Sequence, residues 1–131
     1  MEIGKELGEA LVKIRKGLVE TRAGASEIAD LVKKGAVEAS DKALDETKKS
    51  AARVKEALAE AETKAEKEIE ETRAPAKEYL DKAGKAVASV EQELTGAAAK
   101  VKAKSVQGTE EAIAKAKKIL DEAEDLITKI K

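Results

Sequence analysis

Neither histidine nor cysteine occurs in this chain of 131 residues. Their absence removes the commonest general base, the usual nitrogen and sulfur ligands of transition metals, and any disulfide. A di-iron centre of the bundle type needs inward-facing Glu-x-x-His pairs and cannot be assembled. No catalytic residue, cofactor or metal is therefore expected. Phe and Trp are missing as well, and Tyr79 is the one aromatic residue. A core must then be built from aliphatic side chains and alanine, without the contact area that aromatic rings supply. No glycine-rich stretch ends in Gly-Lys followed by Ser or Thr, so there is no phosphate loop. No apolar run approaches the roughly 18 residues of a membrane span. The opening "MEIGKELGEALVK" is too acidic and interrupted for a secretory signal. A cytoplasmic or recombinant protein without a membrane span is the expectation.

What is present is helix-forming. Charged residues make up 40% and hydrophobic residues 42%, but 26 of the hydrophobic residues are alanine. Leu, Ile and Val number 27, close to the level of about 20% below which charged chains tend toward disorder. The net charge of −1 adds little self-repulsion. Apolar residues recur at steps of three and four: Leu7, Leu11, Ile14 and Leu18, and later Val54, Leu58, Ala61, Ala65, Ile69, Thr72, Ala76, Leu80, Ala83, Val87, Val90 and Leu94. That is helix period, and nothing alternates with the period of a strand. Up to Val32 a seven-residue spacing fits. From Val54 onward an eleven-residue spacing fits better, which favours long, nearly straight helices.

The stretch "ETRAPAKEYLDKAGKAV", residues 71–87, holds the single proline. Proline in a first helical turn forgoes no hydrogen bond, whereas inside a helix it costs about 3 kcal/mol. A break at Arg73–Pro75 is therefore expected, with Pro75 starting a helix and Tyr79 on its first inward-facing turns. "VQGTEEA" places a second break, with Gly108 past a helix end, Thr109 as N-cap, and Glu110 and Glu111 favoured by the helix dipole. The remaining break lies at Gly24 or at Gly35 with a Ser40 cap. Gly35 is preferred because the seven-residue stripe passes in phase through Gly24. Helices near 2–35, 39–73, 75–106 and 109–130 follow. Joined by short loops, they form an all-α, antiparallel up-and-down four-helix bundle, a single domain over residues 1–131. The second helix, with only Leu44, Val54, Leu58 and Ile69 as large aliphatics, should be the first to fray.

Acidic residues precede lysines by four at Glu9–Lys13, Asp45–Lys49, Glu60–Lys64, Glu78–Lys82, Asp81–Lys85 and elsewhere. That order is the favourable one on a solvated helix face. Residues 56–71 carry seven Glu against two Lys, and residues 97–118 six Lys against two Glu. The balanced total and the lack of stacking aromatics argue against nucleic acid as a partner, leaving helix-neighbour choice as the role of these blocks. Gly4, Gly8, Gly17, Gly24, Gly84 and Gly96 fall inside the expected helices, where each costs about 1 kcal/mol relative to alanine. Close helix approach along Ala10, Gly17 and Gly24 is one explanation. A cavity for a small apolar molecule, bordered by Gly17, Thr21, Gly24, Thr72, Tyr79 and Ser105, is the other.

Residues 75–96, "PAKEYLDKAGKAVASVEQELTG", resemble the proline-started 22-residue amphipathic units of exchangeable apolipoproteins, and the eleven-residue spacing is similar to that of late-embryogenesis-abundant proteins. That resemblance implies reversible adsorption to a lipid surface. Over its whole length the chain resembles de novo designed helical bundles, in its use of Ala, Glu, Lys and Leu and in the charge-paired tail "KKILDEAEDLITKIK". This second resemblance implies an engineered, non-catalytic scaffold. Stripes this thin can be covered within one chain or between chains, so self-association also stays open.

Overall fold

The helical period breaks in three places, and two of the breaks differ from those the punctuation residues suggest. In the computed structural model, which describes residues 3–130, α1 spans Lys5–Lys33, α2 Val37–Ala65, α3 Glu70–Lys102 and α4 Val106–Thr128. There is no strand among the described residues. Each helix packs on its two neighbours in the ring α1, α2, α3, α4. Ion pairs joining neighbours run in opposite chain directions, Lys13 to Glu60 and Glu20 to Arg53 between α1 and α2, Lys55 to Glu91 and Lys77 to Glu66 across α2 and α3. The molecule is thus the antiparallel four-helix bundle expected.

The break between α2 and α3 falls at Glu66–Ile69, not at Arg73–Pro75. Pro75 does not start a helix. It is the sixth residue of α3, one and a half turns past Ile69, the residue that precedes the helix. At that depth proline removes only the bond to the Glu71 carbonyl, and the turn before it is closed by Thr72 and Arg73, whose N–H groups donate to Ile69 O at 3.0 and 2.7 Å. Thr72 and Ala76, on either side of the proline, are both buried. Ile69 is correspondingly not a seam residue: it is 69% exposed at the tip of the turn. Tyr79, ten residues into α3, packs half-buried against the core.

The other two turns are twins. Gly35 has φ +74°, and its N–H and that of Ala36 donate to Val32 O and Leu31 O, both at 3.0 Å. Lys104 has φ +59°, and its N–H and that of Ser105 donate to Val101 O at 3.0 Å and Lys100 O at 2.9 Å. Both are the paired Schellman closure, with a left-handed residue just past the helix end. Neither expected cap serves. Ala36 precedes α2, so Ser40 lies inside it with its hydroxyl on Ala36 O at 2.7 Å. Ser105 caps α4 in place of Thr109, accepting from Gly108 N–H at 3.1 Å, so Gly108 is the third helical residue and Glu110 and Glu111 miss the first turn.

Equivalent positions of the two hairpins lie 69 residues apart: Val32 and Val101, Gly35 and Lys104, Val37 and Val106, Ser40 and Thr109. The buried residues Leu11, Leu18, Leu44 and Leu58 map by the same offset onto Leu80, Val87, Ile113 and Ile127. The twin turns therefore sit side by side at one end of the bundle. The Glu66–Ile69 turn, the start of α1 and the end of α4 occupy the other, where Glu68 accepts from Gly4 N–H at 2.9 Å.

Candidate functional site

The six residues proposed to border a cavity are spread through the bundle. Gly17 is buried where α1 meets α2: a Cβ there would stand 2.6 Å from Val54 Cγ2. A Cβ on Gly24 would collide with the Thr47 hydroxyl. Close helix approach thus accounts for both glycines. Thr21 is fully buried between them and donates to Gly17 O at 2.8 Å, within its own helix. Thr72 and Tyr79 lie in the first third of α3, while Ser105 lies beyond its far end. A helix of 33 residues rises about 50 Å, so Thr72 and Ser105 are at opposite ends of the molecule. Three surface grooves take one of the six each, Gly17, Gly24 and Ser105 respectively. The others do not join them.

Buried hydroxyls are satisfied locally. Ser40, Thr47, Ser50 and Thr109 donate to the carbonyl four residues back, at 2.7 to 3.2 Å, as Thr21 does. Such bonds leave none of these five hydroxyls aimed at a ligand. Among the described residues no three acidic side chains converge as metal ligands, and no helix is long and apolar enough to cross a membrane. Arg15 Nε is the one buried side-chain nitrogen without a partner there, on a half-exposed side chain.

Surface charges pair partly as spaced and partly across helices. Glu78–Lys82 at 3.1 Å and Asp81–Lys85 at 3.4 Å close within α3. Lys13 instead reaches Glu60 on α2, and Lys64 reaches Glu6 on α1. Arg22 Nε donates to Asp121 Oδ1 at 2.8 Å, tying α1 to α4. Sequence spacing missed these contacts because they depend on which helices are neighbours. Lys77, hydrogen-bonded to Glu66 across the α2–α3 turn, holds that carboxyl below its ordinary range, first through the bond and then through its charge.

One concavity has the apolar character of a binding surface. Between the twin turns a cleft of about 350 Å³ is lined by Val32, Val37, Val101 and Val106, with Ser40 and Thr109 at its floor. Val37 and Val106 are 40% and 43% exposed. Their exposure follows from the turn geometry: each is the first residue after a reversal, where no neighbouring helix covers it. Ser105 lines the same cleft, but its hydroxyl is engaged as the α4 cap. No protein-family model matches this chain, and neither a curated protein nor a solved structure matches it.

Proposed function

We propose that this protein is a non-catalytic structural or scaffold bundle of engineered origin. The observation that supports it is the closure of the core. One cluster of buried aliphatic and alanine side chains runs from Leu7 to Ile130 and draws on all four helices. The buried hydroxyls of Thr21, Ser40, Thr47, Ser50 and Thr109 are turned back on their own helices. A bundle whose seams cover one another in this way has rigidity to offer and few groups for chemistry. Strong helix formers on the solvated faces and charge pairs such as Glu78–Lys82 support the artificial origin.

Adsorption to lipid in the manner of exchangeable apolipoproteins would require these seams to open, since Leu7, Leu11, Ile14 and Leu18 are at most 1% exposed. Circular dichroism and amide exchange in dilute buffer, with and without anionic vesicles, separate the readings. A scaffold is helical, protected and cooperative on melting before any vesicle is added, and stays so. Low helicity that rises only with vesicles would replace this reading by the lipid one. Thermal stabilisation by a member of an apolar ligand panel would replace it by a small-molecule binder, because a ligand selective for the folded state must raise stability.

A further inference from the structure

The two ends of the bundle differ in relief and in local charge: one carries the valine-lined cleft, the other the exposed side chain of Ile69. At one end, the twin turns carry Lys33, Lys34, Lys102 and Lys104 within residues 33–37 and 102–106, and no acidic residue. All four are exposed, and none has an ion-pair partner among the described residues. Lys104 lines the valine-walled cleft, and Lys33, Lys34 and Lys102 stand in the turns that bound it; Glu38, next to Val37, is the nearest acid. At the other end, residues 66–71 read Glu-Lys-Glu-Ile-Glu-Glu, four Glu against one Lys. The isoleucine of that run, Ile69, is the most exposed of the large hydrophobic residues described. Glu70 and Glu71 beside it are exposed and without an ion-pair partner among the described residues. Lys5 and Lys129 lie at this end too and reduce its negative charge without cancelling the acidic run around Ile69.

We infer that the occupant of the valine cleft is a second copy of this chain, docked head to tail, with Ile69 inserted between Val37 and Val106 and its glutamates facing these lysines. A protruding aliphatic side chain flanked by acid matches an apolar recess flanked by base, which is the pattern that gives an interface both a buried anchor and a fixed register. The contact uses different surfaces on the two copies. It is therefore heterologous and does not close on itself, so it propagates as an open chain of bundles. One bundle end is a small area, at the weak end of specific interfaces, and the association is correspondingly transient and salt-sensitive.

Sedimentation velocity on the full chain tests this, at protein concentrations from about 10 μM to about 1 mM and in low and high salt. The weight-average mass should climb with concentration at low salt and fall back to the monomer in about 500 mM salt. Two variants each remove one face. Ile69→Ser removes the anchor at an exposed helix-capping position where serine is favoured, so the fold is preserved. The combination Lys33→Gln, Lys34→Gln, Lys102→Gln and Lys104→Gly removes the four lysines and places glycine at the left-handed position. Each variant alone should stay monomeric. An equimolar mixture retains one anchor and one lysine-flanked cleft, and so should form dimers and nothing larger. A wild-type chain that stays monomeric at the highest concentration in low salt overturns the inference. So does association of Ile69→Ser equal to wild type, or a mixture of the two variants that gains no mass.

Discussion

Gly24 on α1 lies so close to Thr47 on α2 that a methyl group on the glycine would overlap the threonine hydroxyl, which is itself held at 2.7 Å by Ala43 O. Thr47 is 2% exposed and β-branched, so it has little freedom to move aside. The helix-propensity gain of Gly24→Ala, about 1 kcal/mol, is therefore opposed by overpacking of about 1–3 kcal/mol. A net loss of about 1 kcal/mol is expected in chemical denaturation, with recovery when Thr47→Ala is added. A Cβ on Gly84 would meet nothing within 4 Å beyond its chain neighbours and the nearby backbone of its own helix, and Gly84→Ala should gain close to the full 1 kcal/mol or so. Equal effects at the two glycines would show that α1 and α2 do not approach as described.

Pro75 presents the opposite case, a residue that helix propensity opposes and the seam tolerates. Replacing it by alanine restores an N–H opposite the Glu71 carbonyl, six residues into α3. Propensity argues for a gain of up to about 3 kcal/mol, reduced by about 0.4–1 kcal/mol because proline also restrains the unfolded chain. Pro75→Ala should raise stability by about 1–2 kcal/mol with the α2–α3 turn unmoved. A loss of stability would indicate that the proline does define the boundary.

The proline misled because the apolar pattern does not mark that turn. Ala65 and Thr72 are both buried and stand seven residues apart across Glu66–Ile69, the same spacing that links buried residues within a helix. The eleven-residue columns likewise pass through the α3–α4 turn, where Ser105 and Thr109 keep phase with Leu94 and Leu120. Periodicity thus gave the helical class and the seams while being blind to where the chain reverses; the division into four came from Pro75, Gly108 and Gly35, of which only Gly35 stands at a turn. Gly35 was legible because glycine is the usual residue at a positive φ; its twin was not, because Lys104 carries no such signal. Of the candidate site, Ser105 could be named from sequence. The cleft it lines could not, since its walls come from two turns brought together only by the ring of helices.

Lys104 itself yields a direct test. It holds φ +59°, a conformation that costs an L-residue about 1–2 kcal/mol. Lys104→Gly should therefore stabilise by about 1 kcal/mol, and Gly35→Lys at the twin position should destabilise by a similar amount. Thermal melts of the two variants, shifted in opposite directions, are the expected result. Melting shifts of the same sign would refute the equivalence of the turns.

The bond from Lys77 to Glu66 predicts a pH signature. The folded pKa of Glu66 lies below its unfolded value, so the pair's contribution is present above the unfolded value and fades as pH falls through the folded one. An NMR titration should find Glu66 below the ordinary glutamate range, and Lys77→Met should return it there. An unshifted Glu66 in the unsubstituted chain would mean that the pair is not held in solution.

Stability is also distributed unevenly among the helices. The buried apolar residues of α2 are Ala43, Leu44, Ala51, Val54, Ala57, Leu58, Ala61 and Ala65, five of them alanine. The buried residues of α1 include Leu7, Leu11, Ile14, Leu18 and Ile28. Buried area stabilises at about 25 cal/mol per Å², so each alanine contributes far less than a leucine or isoleucine. Opening α2 alone exposes less apolar surface than opening α1, and local opening follows the cheaper route. Native-state amide exchange should accordingly show the mid-α2 amides, around Ala51–Leu58, opening at lower free energy than those of Leu11–Leu18. Ala61→Leu would not cure this, since Ala61 is fully buried in a space sized for a methyl group. Uniform protection across the four helices would instead mean that the bundle opens only as a whole, with the leucines of α1 supporting α2 as firmly as they support one another.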